Sequence, residues 1–150
     1  HMLSPDDAYR LETQLASFFI RYRQQCKNAE MISNLLTDSE KVASVFYPGL
    51  PTHSTHSVAE ALFDGKGYGA MITFDLCGAN DEEKKANRDR FIERVSSDIK
   101  LIPTLGDSHT ILMPVEPVWG SKYHEPGMIR LSVGFEETEK LLDIISFGLK

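Results

Sequence analysis

Cysteine is scarce: Cys26 and Cys77 are the only two in 150 residues. They are too few and too far apart for a disulfide framework or a zinc knuckle, and a reducing cytoplasm suits such usage. Long apolar runs are missing too, since nothing approaches the ~18 consecutive apolar residues of a membrane span. No basic stripe exists either: 16 Lys and Arg are scattered among 22 Asp and Glu, giving a net charge of −6, which argues against a nucleic-acid partner. Internal repeats and low-complexity tracts are lacking, and so is the G-x-S-x-G turn of a serine hydrolase. What remains, 41% hydrophobic and 25% charged residues, is the profile of one ordinary globular domain with enough chain for a core. His1-Met2 reads as a cloning scar, so residues 3–150 are expected to be an excised piece whose natural start lies elsewhere.

Ser4-Pro5-Asp6-Asp7 opens a helix for three separate reasons: a capping hydroxyl, a proline whose missing N–H costs nothing there, and acids at the positive end of the helix dipole. Ala8, Leu11, Leu15, Phe18, Tyr22, Cys26, Ala29, Ile32 and Leu36 then recur at three and four, and no Gly or Pro intervenes before Thr37-Asp38-Ser39. The pattern predicts one long helix. About thirty residues reach ~45 Å, against a diameter of roughly 40 Å for a domain of this size. The helix must therefore break, near Asn28, or present its first half to something outside these 150 residues.

Strands are expected at 42–46, before the Tyr47-Pro48-Gly49-Leu50-Pro51 turn, and at 70–76, where Ala70, Ile72, Phe74 and Leu76 alternate with polar or flexible neighbours. Ser57-Val58-Ala59-Glu60 has the form of a capping box for a short helix ending at Gly65. Asn80 caps a polar helix whose apolar edge is Phe91, Ile92 and Val95. Short strands are expected at 99–102, 110–113 and 128–133. An amphipathic helix over 136–149 closes the chain, with Leu141, Leu142, Ile145 and Leu149 inward. Residues 114–127 form the one long irregular segment. The order implies an α+β fold, a small mostly antiparallel sheet with helices packed on one face, led by the long N-terminal helix.

Several clusters invite chemistry. His53 and His56 would pair on a metal only with a third ligand nearby, and their place between Pro51 and a helix start favours a loop. With His124 they would make a metal hydrolase. The glycines of Gly65-Lys66-Gly67-Tyr68-Gly69 imitate a phosphate loop, but a strand follows where phosphate binding needs a helix N-terminus. Trp119, Tyr123 and His124 could frame a small-molecule pocket or merely anchor a loop. Arg130 is the most informative charge. Alternation puts Ile129, Leu131 and Val133 under the helices and Met128, Arg130 and Ser132 on the other face. There a stiffly held guanidinium can fork a carboxylate, or simply stand in solvent.

Taken in order, several segments resemble the C-terminal domain of the trans-sulfuration, or Cys/Met-metabolism, pyridoxal-phosphate enzymes: cystathionine γ-synthase, cystathionine lyases, methionine γ-lyase and the O-acyl-homoserine sulfhydrylases. They are Leu3-Ser4-Pro5-Asp6-Asp7-Ala8; Val42-Ala43-Ser44-Val45-Phe46-Tyr47-Pro48-Gly49-Leu50-Pro51 with His53 and His56; and Gly67-Tyr68-Gly69-Ala70-Met71-Ile72-Thr73-Phe74. Thr104-Leu105-Gly106-Asp107-Ser108-His109-Thr110-Ile111 and Ile129-Arg130-Leu131-Ser132-Val133-Gly134-Phe135-Glu136 complete the set. The resemblance implies that residues 3–150 are the smaller, substrate-closing domain of a fold type I enzyme. Such enzymes use an internal aldimine to a lysine and an electron-sink pyridine ring to make or break bonds to sulfur or oxygen.

Carried over by position, Arg130 matches the arginine that grips the substrate α-carboxylate. Thr104 falls on the residue that opens the family's Ser-Leu-Gly-Gly stretch, which lines the same pocket. Thr104 in place of serine, and Asp107 in place of the second glycine, depart from that pattern; the Gly106-Asp107 pairing is more similar to the sulfhydrylase branch. Residues 11–22 depart from the glycine- and lysine-containing pattern usual there. None of Lys27, Lys41, Lys66, Lys84, Lys85, Lys100, Lys122, Lys140 or Lys150 sits in the Ser/Thr-rich context of the family's Schiff-base lysine. The resemblance thus implies that the fragment binds no cofactor and is inactive alone. Its partners would be its own large pyridoxal-phosphate-binding domain, a sulfur-containing or O-acylated amino acid, and further copies in a tetramer. The competing expectation is a free-standing, non-catalytic binding module that kept this fold.

Overall fold

The computed structural model describes residues 2–120 and 122–150. In chain order the elements are α1 (Pro5–Leu15), α2 (Phe18–Thr37), β1 (Val42–Phe46), α3 (His56–Phe63), β2 (Met71–Leu76), α4 (Asp81–Val95), β3 (Lys100–Leu101), β4 (Ile111–Pro114), α5 (Val115–Trp119), β5 (Met128–Ser132) and α6 (Thr138–Gly148). The strands form one sheet in the order β1-β2-β5-β4-β3. Every pair is antiparallel except β3 with β4, as the α+β reading requires.

Alternation in the strands decides what is buried. Ile72, Phe74 and Leu76 of β2 and Ile129 and Leu131 of β5 point to the helix side and lose nearly all exposure. Helices α2, α4 and α6 pack on one another over that side. Phe74 meets Phe91 of α4 edge to face at 5.4 Å, a favoured aromatic geometry. Helix α4 starts where Asn80 Oδ1 accepts from the Glu83 amide at 2.9 Å. The Glu83 carboxylate in turn takes the Ala79 amide at 2.8 Å, and Asp81, Glu82 and Glu83 face the positive dipole end.

The single long helix is not formed. It is interrupted at Ala16 and Ser17 rather than near Asn28. Side chains replace the helical ladder there: Arg21 donates from Nη1 to Ser17 Oγ at 2.6 Å and from Nη2 to the Gln14 carbonyl at 3.2 Å. Nothing packs on α1 to keep the rod straight, because none of its residues is buried. The buried stripe of α2 starts only at Cys26 and continues through Ala29, Ile32 and Leu36.

Smaller corrections have local causes. Helix α3 begins at His56, so Ser57 lies inside the first turn and the capping box does not form; Thr55 is the N-cap and its side chain caps nothing. Ala70 precedes β2, β3 has two residues rather than four, and β4 is shifted one residue toward Pro114. The stretch expected to be irregular from Pro114 contains α5, capped at its end by a left-handed Gly120 with φ +73°. Both cysteines are free thiols. Among the described residues no helix is long and apolar enough to cross a membrane.

Candidate functional site

Strand β5 runs through the middle of the sheet, with Arg130 opposite Thr73 on β2 and Met113 on β4. Met128, Arg130 and Ser132 project away from the helices, and neighbouring backbones fix the root of the arginine on both sides. A connection, residues 103–110, crosses this face. The Arg130 guanidinium donates from Nη2 to the carbonyls of Pro103 at 3.1 Å and Thr104 at 2.7 Å. Its Nε is buried and no protein group accepts from it. An arginine has five donors in a rigid fork, and the connection engages Nη2 alone, leaving charged donors for an acceptor from outside.

Arg130 and Thr104 are therefore brought together, but Thr104 takes part through its main-chain oxygen. The same face carries the next residues in alternation. Ser132 Oγ accepts from the Gly106 amide at 3.0 Å, the Gly134 amide donates to Thr110 Oγ1 at 3.0 Å, and the Glu136 carboxylate accepts from both the amide and the hydroxyl of Thr110. Asp107 accepts from the His109 amide at 3.1 Å. That contact, followed by the Ser108 hydroxyl, holds its carboxyl below the usual carboxylate range.

Behind this strap Asn28 of α2 is fully buried. Its Nδ2 donates to the carbonyls of Gly134 at 3.1 Å and Glu136 at 2.8 Å. Its Oδ1 accepts from Thr138 Oγ1 at 2.7 Å and Gln24 Nε2 at 2.9 Å. Ser132, Glu136 and Asn28 were not anticipated. The one sequence signal for the first two was the spacing 130, 132, 134, 136, which prolongs the strand alternation past the end of β5; for Asn28 there was none.

The other clusters separate. His53 turns back on Thr55, and His56 Nδ1 lies 2.8 Å from the Pro48 carbonyl. His124 Nε2 reaches Asp81 at 2.8 Å. Among the described residues no group of three His, Cys, Asp or Glu could hold a metal ion. Gly65, Gly67 and Gly69 all take positive φ, as a turn leading into β2. A Cβ at Gly67 would fall 2.7 Å from Cys26 Sγ, so close packing on α2 explains that glycine. Trp119 and Tyr123 are about half exposed. A groove of about 870 Å³ lies between α2 and the α3–β2 connection and is lined by Phe18, Phe19, Tyr22, Leu62, Phe63 and Tyr68 among others. Burial pushes the Tyr22 and Tyr47 phenols up from their ordinary values, so both stay protonated. Tyr47 donates to the Gly69 carbonyl at 3.1 Å.

Pyridoxal phosphate requires a lysine able to give up its proton and an anion cradle of backbone amides. None of the nine lysines is buried. Lys84 lies 2.6 Å from Asp75, and that hydrogen bond raises its pKa, the opposite of what a Schiff base needs. The glycine-rich turn feeds a strand. Taken alone, the residues present do not fit the cofactor.

The chain is 31% identical to an L-methionine gamma-lyase of Fusobacterium nucleatum subsp. polymorphum, an alignment covering 99% of this chain and 38% of that protein. A canavanine gamma-lyase of Rhizobium leguminosarum bv. trifolii is 33% identical over 98% of the chain and 37% of the relative. An O-acetylhomoserine sulfhydrylase structure from Wolinella succinogenes superposes with a TM-score of 0.84 at 28% identity, covering 99% of this chain and 39% of that one. The chain thus spans about two fifths of the length of the relatives it matches. Residues 1–150 match the family described as Cys/Met metabolism PLP-dependent enzyme, and the chain belongs to that family.

Proposed function

We propose that residues 3–150 are the substrate-closing domain of a cytoplasmic pyridoxal-phosphate-dependent trans-sulfuration enzyme, a lyase or sulfhydrylase of cysteine and methionine metabolism, in which Arg130 takes the α-carboxylate of the amino-acid substrate. The observation that carries this reading is the state of Arg130. It is rooted between two strands, holds its strap through Nη2, and keeps a buried Nε without an acceptor. A buried charged donor without a partner is costly; a shift of the exposed strap over 103–109 would uncover it, and a carboxylate would then supply the missing acceptor in the fork geometry that arginine favours. Thr104, held against Arg130 by its main-chain oxygen, borders the same subsite, at the position of the family's serine.

The bond chemistry is then left to residues outside these 150, since no lysine here is suited to it. The exposed apolar side chains of the first two helices, Leu11, Leu15, Phe19 and Ile20 among them, together with the groove beside Tyr22, are the surface on which a cofactor-binding domain would rest, and further copies would complete a tetramer.

The test is Arg130→Ala in the natural gene product. Two charge-assisted bonds at about 1.5–3 kcal/mol each predict a fall in kcat/KM of at least about 100-fold, borne mainly by KM. An unchanged kcat/KM would reject the role. Reading the coding sequence ahead of Leu3 separates the competing module: about 250 further residues with a Ser/Thr-flanked lysine support the enzyme, and a genuine start codon near Leu3 supports the module.

A further inference from the structure

Residues 103–109 are all exposed, directly after the half-buried Ile102, and no strand neighbour pairs with them, so ordinary ladder bonds do not hold them in place. Their position comes mainly from β5 and its continuation, with one contact from α2, where Gln25 Nε2 donates to the Asp107 carbonyl at 3.1 Å. Arg130 holds the carbonyls of Pro103 and Thr104, Ser132 the amide of Gly106, and Gly134 and Glu136 the side chain and amide of Thr110. Phe135 adds its amide to the Ser108 carbonyl at 3.1 Å.

These tethers differ in one respect. The Arg130 tether uses the group that a substrate carboxylate would also engage, so it weakens when the fork turns to a ligand. The Glu136 tether lies four residues further along the strap. Ser132, buried to 2% exposure and next to Arg130 on the same face, holds Gly106 itself, nearer to Thr104 than the Gln25 contact at Asp107 or the Phe135 contact at Ser108, and it does so whether or not Arg130 is occupied. The Gly106 amide can point at it because Gly106 adopts φ +80°, a conformation other residues rarely take.

We infer that Ser132 is a positioning residue for the carboxylate subsite, its hydroxyl fixing the strap at Gly106 so that Arg130 and Thr104 meet a carboxylate in one geometry. This rests on the reading of Arg130 given above. It assigns Ser132 no contact with the reacting atoms.

The test uses the 150-residue chain, acetate as the carboxylate probe and amide hydrogen exchange as the local readout. In Ser132→Ala the Gly106 amide exchanges about tenfold faster or more, acetate binding followed at the Thr104 and Leu105 amides weakens by about tenfold, and thermal stability stays near that of the unaltered chain. Ser132→Thr, which keeps the hydroxyl, restores both. Unchanged exchange at Gly106 in Ser132→Ala would overturn the inference, as would acetate binding lost in Arg130→Lys and retained in Ser132→Ala, an outcome that leaves the role of Arg130 standing. Acetate shifts that persist in Arg130→Ala would overturn the reading of Arg130 itself, and the inference with it.

Discussion

Asn28 offers the sharpest trial of the packing. Its side-chain amide has two donors and two acceptor sites, and all four are used: two carbonyls, one hydroxyl and one glutamine amide. The carbonyls can only accept, so the orientation of the amide is settled by its partners. In Asn28→Ala the Gly134 carbonyl is left buried without this donor, at about 1–3 kcal/mol, and the Glu136 carbonyl, reachable by water, at about 1 kcal/mol. Gln24 Nε2 also reaches Thr138 Oγ1 at 3.2 Å, so that side of the cluster partly heals. The sum is about 2–4 kcal/mol, and at about 2–4 °C per kcal/mol for a chain of this size Tm falls by about 4–16 °C.

Asn28→Asp is the more severe change despite its closer shape, because a buried carboxylate would face two carbonyl oxygens with no proton between them. Urea titrations of the two variants, with m-values to confirm equal exposed surface, measure both losses. A cost below about 1 kcal/mol for Asn28→Ala, or an Asp variant more stable than the Ala one, would refute the account of the cluster.

Two further outcomes follow from the charges and the apolar surface. The Lys84 pKa is raised in the folded state by its bond to Asp75, so the pair's contribution to stability is fully present below the lysine's ordinary value of about 10.4 and is lost as pH rises through the raised value; thermal melts from about pH 9 to about pH 12 should fall more steeply for the unaltered protein than for Asp75→Asn, and parallel curves would remove the pair from the stability account. The apolar side chains on the first two helices, with Ile20 75% and Phe19 70% exposed, should make the isolated chain self-associate; light scattering at rising concentration should show this and show it abolished in Phe19→Glu/Ile20→Glu, whereas a clean monomer at high concentration counts against it.

What the sequence disclosed depended on the range of the interactions. The stripe from Cys26 to Leu36, the alternation in β2 and β5 and the cap at Asn80 are set by neighbours within a few residues, and each appears where the pattern put it. The break at Ser17 was hidden because an apolar stripe says that a face must be covered without saying by what. Leu11, Leu15 and Phe18 carry the period of a buried helix, yet stay exposed in this chain. The capping box at Ser57 failed for a different reason: the motif marks a local preference, and the turn through Pro51, closed by the His53 and Leu50 backbone, moves the cap two residues earlier, to Thr55.

Asn28 shows the limit most clearly. Propensity marks an asparagine inside a helix as a weak point, since its side chain competes for backbone groups, and that made it the natural place to break a long helix. Its partners at Gly134, Glu136 and Thr138 lie more than a hundred residues away in the chain, and they turn the same competing groups into the clamp between α2 and the strap. Arg130 was legible because strand alternation alone assigns its face; Ser132 and Glu136 share that alternation but needed a partner, the irregular segment over 103–110, that no periodicity announces. The residues that set the site's geometry are therefore those whose polar groups answer distant backbone, and polarity at an otherwise apolar or strand-periodic position was the trace they left.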